Sequence, residues 1–153
     1  MNEETKSQPE IRTIHNTPPP TPNKNKENRT PSPAYIGATW TVFLVGVICY
    51  LVGLYNAEMQ LNEKGYYFTV LLFGLFSVVA LQKSVRDKLD GIPVTSIFFG
   101  ISWFGTIVSI LLLIIGLWNA ELLLSEKGFY GIAFTMSMYA AISVQKNIRD
   151  AEK

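Results

Sequence analysis

The 153-residue sequence predicts an all-α membrane protein: four transmembrane helices as two tandem parallel-repeat helical hairpins, preceded by a disordered Pro-rich tail. Three observations carry this. Long apolar runs without interspersed charge dominate from Tyr35 onward, the chain repeats itself at an offset of 63 residues, and lysine and arginine concentrate in alternate connections.

Residues 1–34 form the tail. They hold seven of the eight prolines and almost no large apolar side chains. Pro18, Pro19, Pro20, Pro22, Pro31 and Pro33 oppose a helix and favour extended segments, with too little apolar surface to offset the entropy of ordering. No apolar stretch of signal-peptide length occurs in it.

Two repeat units follow, at 35–90 and 91–153. Their spans cover about 35–55 and 66–82 in the first, and about 95–118 and 129–145 in the second. At 1.5 Å per residue the odd-numbered spans reach roughly 30–36 Å, enough to cross a bilayer core with some tilt. The even-numbered spans reach about 24 Å, near the lower limit. The runs lack the polar face that a soluble core helix needs.

Basic residues set the expected orientation. Lys6, Arg12, Lys24, Lys26 and Arg29 lie in the tail, Lys83, Arg86 and Lys88 between the second and third spans, and Lys146, Arg149 and Lys153 at the C-terminus. The other two connections carry only Lys64 and Lys127. The positive-inside rule then puts both termini and the central link in the cytoplasm.

The repeat is gapless between 37–87 and 100–150. Asn56-Ala57-Glu58 matches Asn119-Ala120-Glu121, and Leu61, Glu63, Lys64, Gly65 and Tyr67 match Leu124, Glu126, Lys127, Gly128 and Tyr130. Gln82, Lys83, Arg86 and Asp87 match Gln145, Lys146, Arg149 and Asp150, while Trp40 and Gly53 match Trp103 and Gly116. Each unit holds an even number of spans, so the copies run parallel, about an axis along the membrane normal. Two hairpins with an N-A-E-x-x-L-x-E-K-G-[FY]-Y linker and a following Q-K-x-[VI]-R-D resemble the YiaA/YiaB family of bacterial inner-membrane proteins. The resemblance implies two copies of a two-helix unit in the bacterial inner (plasma) membrane. It implies no activity and supplies no catalytic residues.

The linkers hold the candidate structural or binding motif: Asn56, Glu58, Glu63, Lys64 and Gly65, with Asn119, Glu121, Glu126, Lys127 and Gly128. Gly65 and Gly128 are expected where the odd-numbered helix stops, in a left-handed cap, with Lys64 and Lys127 set against the last carbonyls. Tyr66, Tyr67, Phe129 and Tyr130 suit an interfacial aromatic belt. On a continued helix Asn56 and Glu63 fall within about 20° of one another, and Glu58 points roughly opposite. Two readings follow: polar groups that cap and lock the hairpin, the favoured one, or an acidic cation or substrate site on the outer side.

Lys83, Arg86, Lys146 and Arg149 make an inner-face basic motif that complements helix C-termini and reaches lipid headgroups. Lys83 with Asp87, and Lys146 with Asp150, are spaced for an i,i+4 pair. Small residues share one face of each odd-numbered span, namely Gly46, Cys49, Gly53 and Ala57, then Ser102, Gly105, Ser109, Gly116 and Ala120. Such faces let helices approach closely in lipid.

No catalytic, cofactor or metal constellation is expected. Cys49 lies alone in an apolar run and His15 alone in the tail. The net charge of +1 is uninformative, but no basic stripe with interleaved aromatics occurs, so no nucleic-acid partner is expected. The expected partners are the lipid bilayer and, as open classes, a second copy or other inner-membrane proteins. The chain is therefore expected to be a structural, interaction or accessory protein and not an enzyme. A small oligomeric transporter or channel using the acidic linkers is the alternative.

Overall fold

Ser32 opens the first helix: its Oγ accepts the Tyr35 amide at 3.3 Å, and Pro33 follows at the start of the first turn. A missing N–H is harmless there, because first-turn amides have no intrahelical partner. The computed structural model describes residues 31–151, with α1 at Pro33–Asn56, α2 at Leu61–Leu89, α3 at Ser96–Asn119 and α4 at Leu124–Ala151. Pro33 and Ala34 thus belong to α1 and not to the tail. The rest of the predicted disordered segment, residues 1–30, lies outside the described residues.

Both even helices begin five residues before their apolar runs. Caps, and not hydropathy, set those ends. Glu63 turns back to accept the Gln60 amide at 2.9 Å, and Glu126 accepts the Leu123 amide at 2.8 Å, so orphan donors near each N-terminus are satisfied by a carboxylate that also complements the helix dipole. The linkers shrink to 57–60 and 120–123.

This corrects the expectation for Gly65 and Gly128. Each is the fifth residue of an even helix, and neither has a positive φ. Among the described residues the left-handed conformation falls to Gly91, at φ 76° after the last turn of α2. There the Ile92 amide donates to the Asp87 carbonyl at 2.8 Å and the Gly91 amide to Lys88 at 3.4 Å, the paired bonds of a Schellman cap. Asn56 and Glu63 do not share a continued helix either, because the chain leaves helical geometry at Ala57.

The two hairpins interlock. α1 packs along α4, α3 packs along α2, and α2 meets α4 between them, while contacts inside each hairpin are few. The order across the bundle is therefore α1, α4, α2, α3. The outer helices expose Leu44, Ile48 and Val52 on α1 and Ile101, Phe104, Ile107 and Ile114 on α3. The interior gathers Tyr50, Tyr67, Val70, Leu71, Tyr130 and Phe134.

Three helices, α1, α2 and α3, are long and apolar enough to cross a membrane. The fourth expected span, α4, does not reach that hydropathy, because it carries Thr135, Ser137, Ser143, Gln145, Lys146 and Asn147 along its length. Its place in the bundle explains the buried part of that composition, while Thr135 and Lys146 are exposed. Ser137, Ser143 and Asn147 are buried against other helices and do not face outward. Ser137 returns its hydroxyl to the Ala133 carbonyl at 2.7 Å, and Asn147 donates to Thr39 on α1 at 2.9 Å.

Glycines set the close approaches. A Cβ added at Gly46 would lie 2.7 Å from Ser137 Oγ and 3.2 Å from the Ser137 backbone nitrogen. One at Gly105 would lie 2.7 Å from Ser77 Oγ. The repeat mates Gly53 and Gly116 receive Phe129 and Tyr66, which are themselves repeat mates, each 2.6 Å from the same hypothetical atom. The predicted small-residue faces thus pack against the other repeat.

Candidate functional site

At the end of the bundle opposite the chain termini, the two linkers meet over the even helices. Asn56 and Asn119 close their helices by donating Nδ2 to the carbonyls of Val52 and Ile115, both at 2.8 Å. Lys64 reaches back from α2 to the Tyr55 carbonyl at 2.8 Å, and Lys127 from α4 to the Trp118 carbonyl at 3.4 Å. Each ammonium thus sits at the negative end of the preceding helix, though it belongs to the next one. Gly65 and Gly128 have open space where a side chain would be.

Glu58 and Glu121 lie exposed on the linkers. Together with Glu63, Asn119 and Tyr67 they line one cavity of about 420 Å³, most of whose surface is polar. The cavity combines the α2 start with both linkers, so it exists only because the hairpins interlock. A sister pocket of about 330 Å³ sets Asn56 and Ala57 against Glu126 and Tyr130, the repeat equivalents of Asn119, Ala120, Glu63 and Tyr67. Glu58 and Glu121 both belong to the larger cavity.

Tyr67 and Tyr130 are corrected from the aromatic belt to the core. Both are 3% exposed, and their rings stack at 6.0 Å with an interplanar angle of 18°. Tyr50, fully buried, donates to the Tyr67 carbonyl at 3.1 Å and meets Tyr130 edge-on at 5.4 Å. Tyr66 donates to the Leu112 carbonyl at 2.6 Å, tying α2 to α3. The exact correspondence of Tyr67 with Tyr130 was the available signal. Two repeat mates brought together by an axis meet at that axis.

The termini end carries a reciprocal clasp. Arg86 Nη2 donates to Asp150 Oδ1 at 2.9 Å, and Arg149 donates to Asp87 in a short bond between the equivalent positions. Lys83 also pairs with Asp87, at 3.3 Å, as its spacing suggests. The matching Lys146–Asp150 pair does not form among the described residues; Asp150 pairs with Arg86 alone. The two arginines of the basic motif are thereby drawn into contact between the repeats, while Lys83 pairs within α2 and Lys146 lies exposed. One step inward, Ser84 lies 3.4 Å from Ser102, and the equivalent positions Asn147 and Thr39 bond at 2.9 Å.

Two interlocked hairpins with broad apolar outer faces and polar ties at both ends define a helical membrane protein. The profile of the yiaA/B two helix domain family matches at residues 35–87 and again at 98–150. The chain belongs to that family. It is 59% identical over 122 residues to "Inner membrane protein YiaA" of Escherichia coli K12, covering 80% of this chain and 84% of the relative. "Inner membrane protein YiaB" of the same organism is 33% identical over 98 residues, covering 64% of this chain and 83% of the relative. "Uncharacterized membrane protein YubF" of Bacillus subtilis 168 is 35% identical over 66 residues, 42% of this chain and 76% of the relative. No solved structure matches.

Proposed function

We propose that the chain is a multi-pass protein of the bacterial inner membrane, with four spans and both termini in the cytoplasm, serving a structural or interaction role. The observation that carries the role is the use made of the shared polar motif. Glu63 and Glu126 cap helices, Lys64 and Lys127 hold carbonyls, and Arg86 and Arg149 clasp the opposite repeat. Groups committed to holding the bundle together are not available for chemistry. The fourth span is supported by the place of α4 between α1 and α2, where Ser137, Ser143 and Asn147 are shielded from lipid by protein. The orientation is supported by the excess of lysine and arginine at the termini end.

A cytoplasm-active reporter fused after Lys153 is expected to be active, and a periplasm-active reporter in either linker is expected to be active as well. The reverse pattern would overturn the orientation. For the role, purified protein in liposomes should show no solute flux above empty vesicles.

The second reading, a small oligomeric transporter or channel, is favoured by one observation: Glu58, Glu63 and Glu121 share a single cavity. Flux that is abolished by Glu58→Gln, in a variant that still folds, would establish it over the first.

A further inference from the structure

The interlock of the hairpins leaves a groove along α4. Because α4 lies between α1 and α2, those two helices stand apart although they belong to one hairpin. Near the termini end the gap becomes a cavity of about 500 Å³. Trp40 and Phe43 of α1 line one side, Val79 and Lys83 of α2 the other, and Gln145 and Arg149 of α4 lie between them.

The lining changes character with depth. Lys83, Gln145 and Arg149 belong to the last two turns of their helices, and Trp40 lies about two turns from the start of α1. Phe43 and Val79 lie about one turn further in. Trp40 rests edge-on against Phe43, with ring centroids 6.1 Å apart. The groove thus has a basic mouth, an indole at interfacial height and apolar walls beyond.

No carboxylate lines it among the described residues. Asp87 accepts from both Lys83 and Arg149, but its side chain is largely buried beside the groove and outside its lining. Arg149 also comes within 4.0 Å of Asp90 and is the better held of the two cations. Lys83 lies 3.3 Å from Asp87 with its side chain 60% exposed, a surface pair that water already weakens. Its ammonium is therefore available to an anion at the mouth. The Trp40 and Gln145 side chains make no hydrogen bond to another described residue, which leaves the indole N–H and the amide N–H groups to donate.

The repeat supplies an internal comparison. Gln82, Val85 and Arg86 line a cavity of about 340 Å³ between α2 and α4, at positions matching Gln145, Ile148 and Arg149. Neither Trp103 nor Lys146, the counterparts of Trp40 and Lys83, lines that cavity. The interlock makes two grooves, and only the first sets a lysine and an indole beside its arginine.

We propose that the first groove binds one anionic phospholipid of the bilayer. Its phosphate lies on Lys83 and Arg149 with N–H groups from Trp40 and Gln145, and one acyl chain runs inward along Phe43 and Val79. A soluble anion would use the mouth and leave the apolar walls idle. A zwitterionic lipid would bring its own cation against Lys83, so a net negative headgroup is favoured. Of the four basic residues expected at headgroup level, only these two line this groove. The site requires the helices to lie in a membrane and holds for either orientation of the chain.

The test is native mass spectrometry of the purified full-length chain in uncharged detergent, titrated with dioleoylphosphatidylglycerol or with dioleoylphosphatidylcholine. One retained phosphatidylglycerol is expected, bound at least about fivefold more tightly than phosphatidylcholine. Lys83→Gln should weaken it roughly fivefold. Lys146→Gln removes the same charge from the repeat-equivalent position outside the groove and should leave binding within about twofold. Val79→Trp fills the groove without altering charge and should weaken binding severalfold. If that variant does not fold, the two lysine variants decide. Equal losses in the two lysine variants would reveal diffuse attraction to a basic surface and overturn the site. Unchanged affinity in a folded Val79→Trp, or no preference over phosphatidylcholine, would overturn it as well. Displacement of the lipid by millimolar glycerol 3-phosphate would make the mouth a site for soluble phosphate, and the lipid proposal would fail.

Discussion

Two alanine substitutions separate the roles of glycine in this bundle. Gly46 lies where α1 crosses α4, and an added Cβ would meet Ser137 at its Oγ, its backbone nitrogen at 3.2 Å and its Cα at 3.4 Å. The hydroxyl can rotate away but the backbone cannot, so the helices must part. Overpacking of that kind costs roughly 1–3 kcal/mol, against a helix-propensity gain of about 1 kcal/mol, leaving a net loss of up to about 2 kcal/mol for Gly46→Ala. Gly65 presents the opposite case. It is inside α2 with open space around it, so Gly65→Ala should gain about 0.5–1 kcal/mol, and Gly128→Ala the same. Gly65→Val, which a left-handed cap would penalise, should be nearly neutral. Reversible unfolding in mixed micelles, read by circular dichroism as the denaturing detergent fraction rises, measures all four. A loss of stability in Gly65→Ala as large as that in Gly46→Ala would show that Gly65 does not sit in a helix, and the reasoning would fail.

The clasp and the central turn give two further expectations. Asp87 accepts from both Arg149 and Lys83 with its side chain only 12% exposed, so Asp87→Asn should cost roughly 1–3 kcal/mol. A double-mutant cycle with Arg149→Met should show a favourable coupling, and additive losses would refute the pairing. Gly91→Val should cost more than about 1 kcal/mol, because φ 76° crowds a Cβ against the following carbonyl; an unchanged unfolding midpoint would contradict the Schellman cap.

The helix boundaries show why the candidate site was only partly legible. Apolar runs reveal where a chain can be buried in lipid, but Glu63 and Glu126 extend the even helices through residues that hydropathy reads as linker. Gly65 looked like a helix stop because glycine beside lysine often is one. Gly91 performs that task instead, after Asp90, at a junction where no apolar run marks the end of the helix. Lys83 with Asp87 was readable because both lie on one helix. Arg86 with Asp150 was not, because a pair 64 residues apart depends on which helices meet.

By itself the sequence determined the family, the all-helical character and the membrane as solvent. Each rests on patterns local to the chain: uninterrupted apolar runs, and a linker that occurs twice. Tertiary structure alone decided that α1 lies along α4 and α3 along α2, that polar α4 is buried where three helices are apolar enough to span, and that Glu58, Glu63 and Glu121 share a cavity. The physical reason is that in lipid all apolar faces are nearly equivalent. Which face meets which is chosen by close fit at small residues such as Gly46 and Gly105, and by a few buried polar pairs, and neither has a one-dimensional signature.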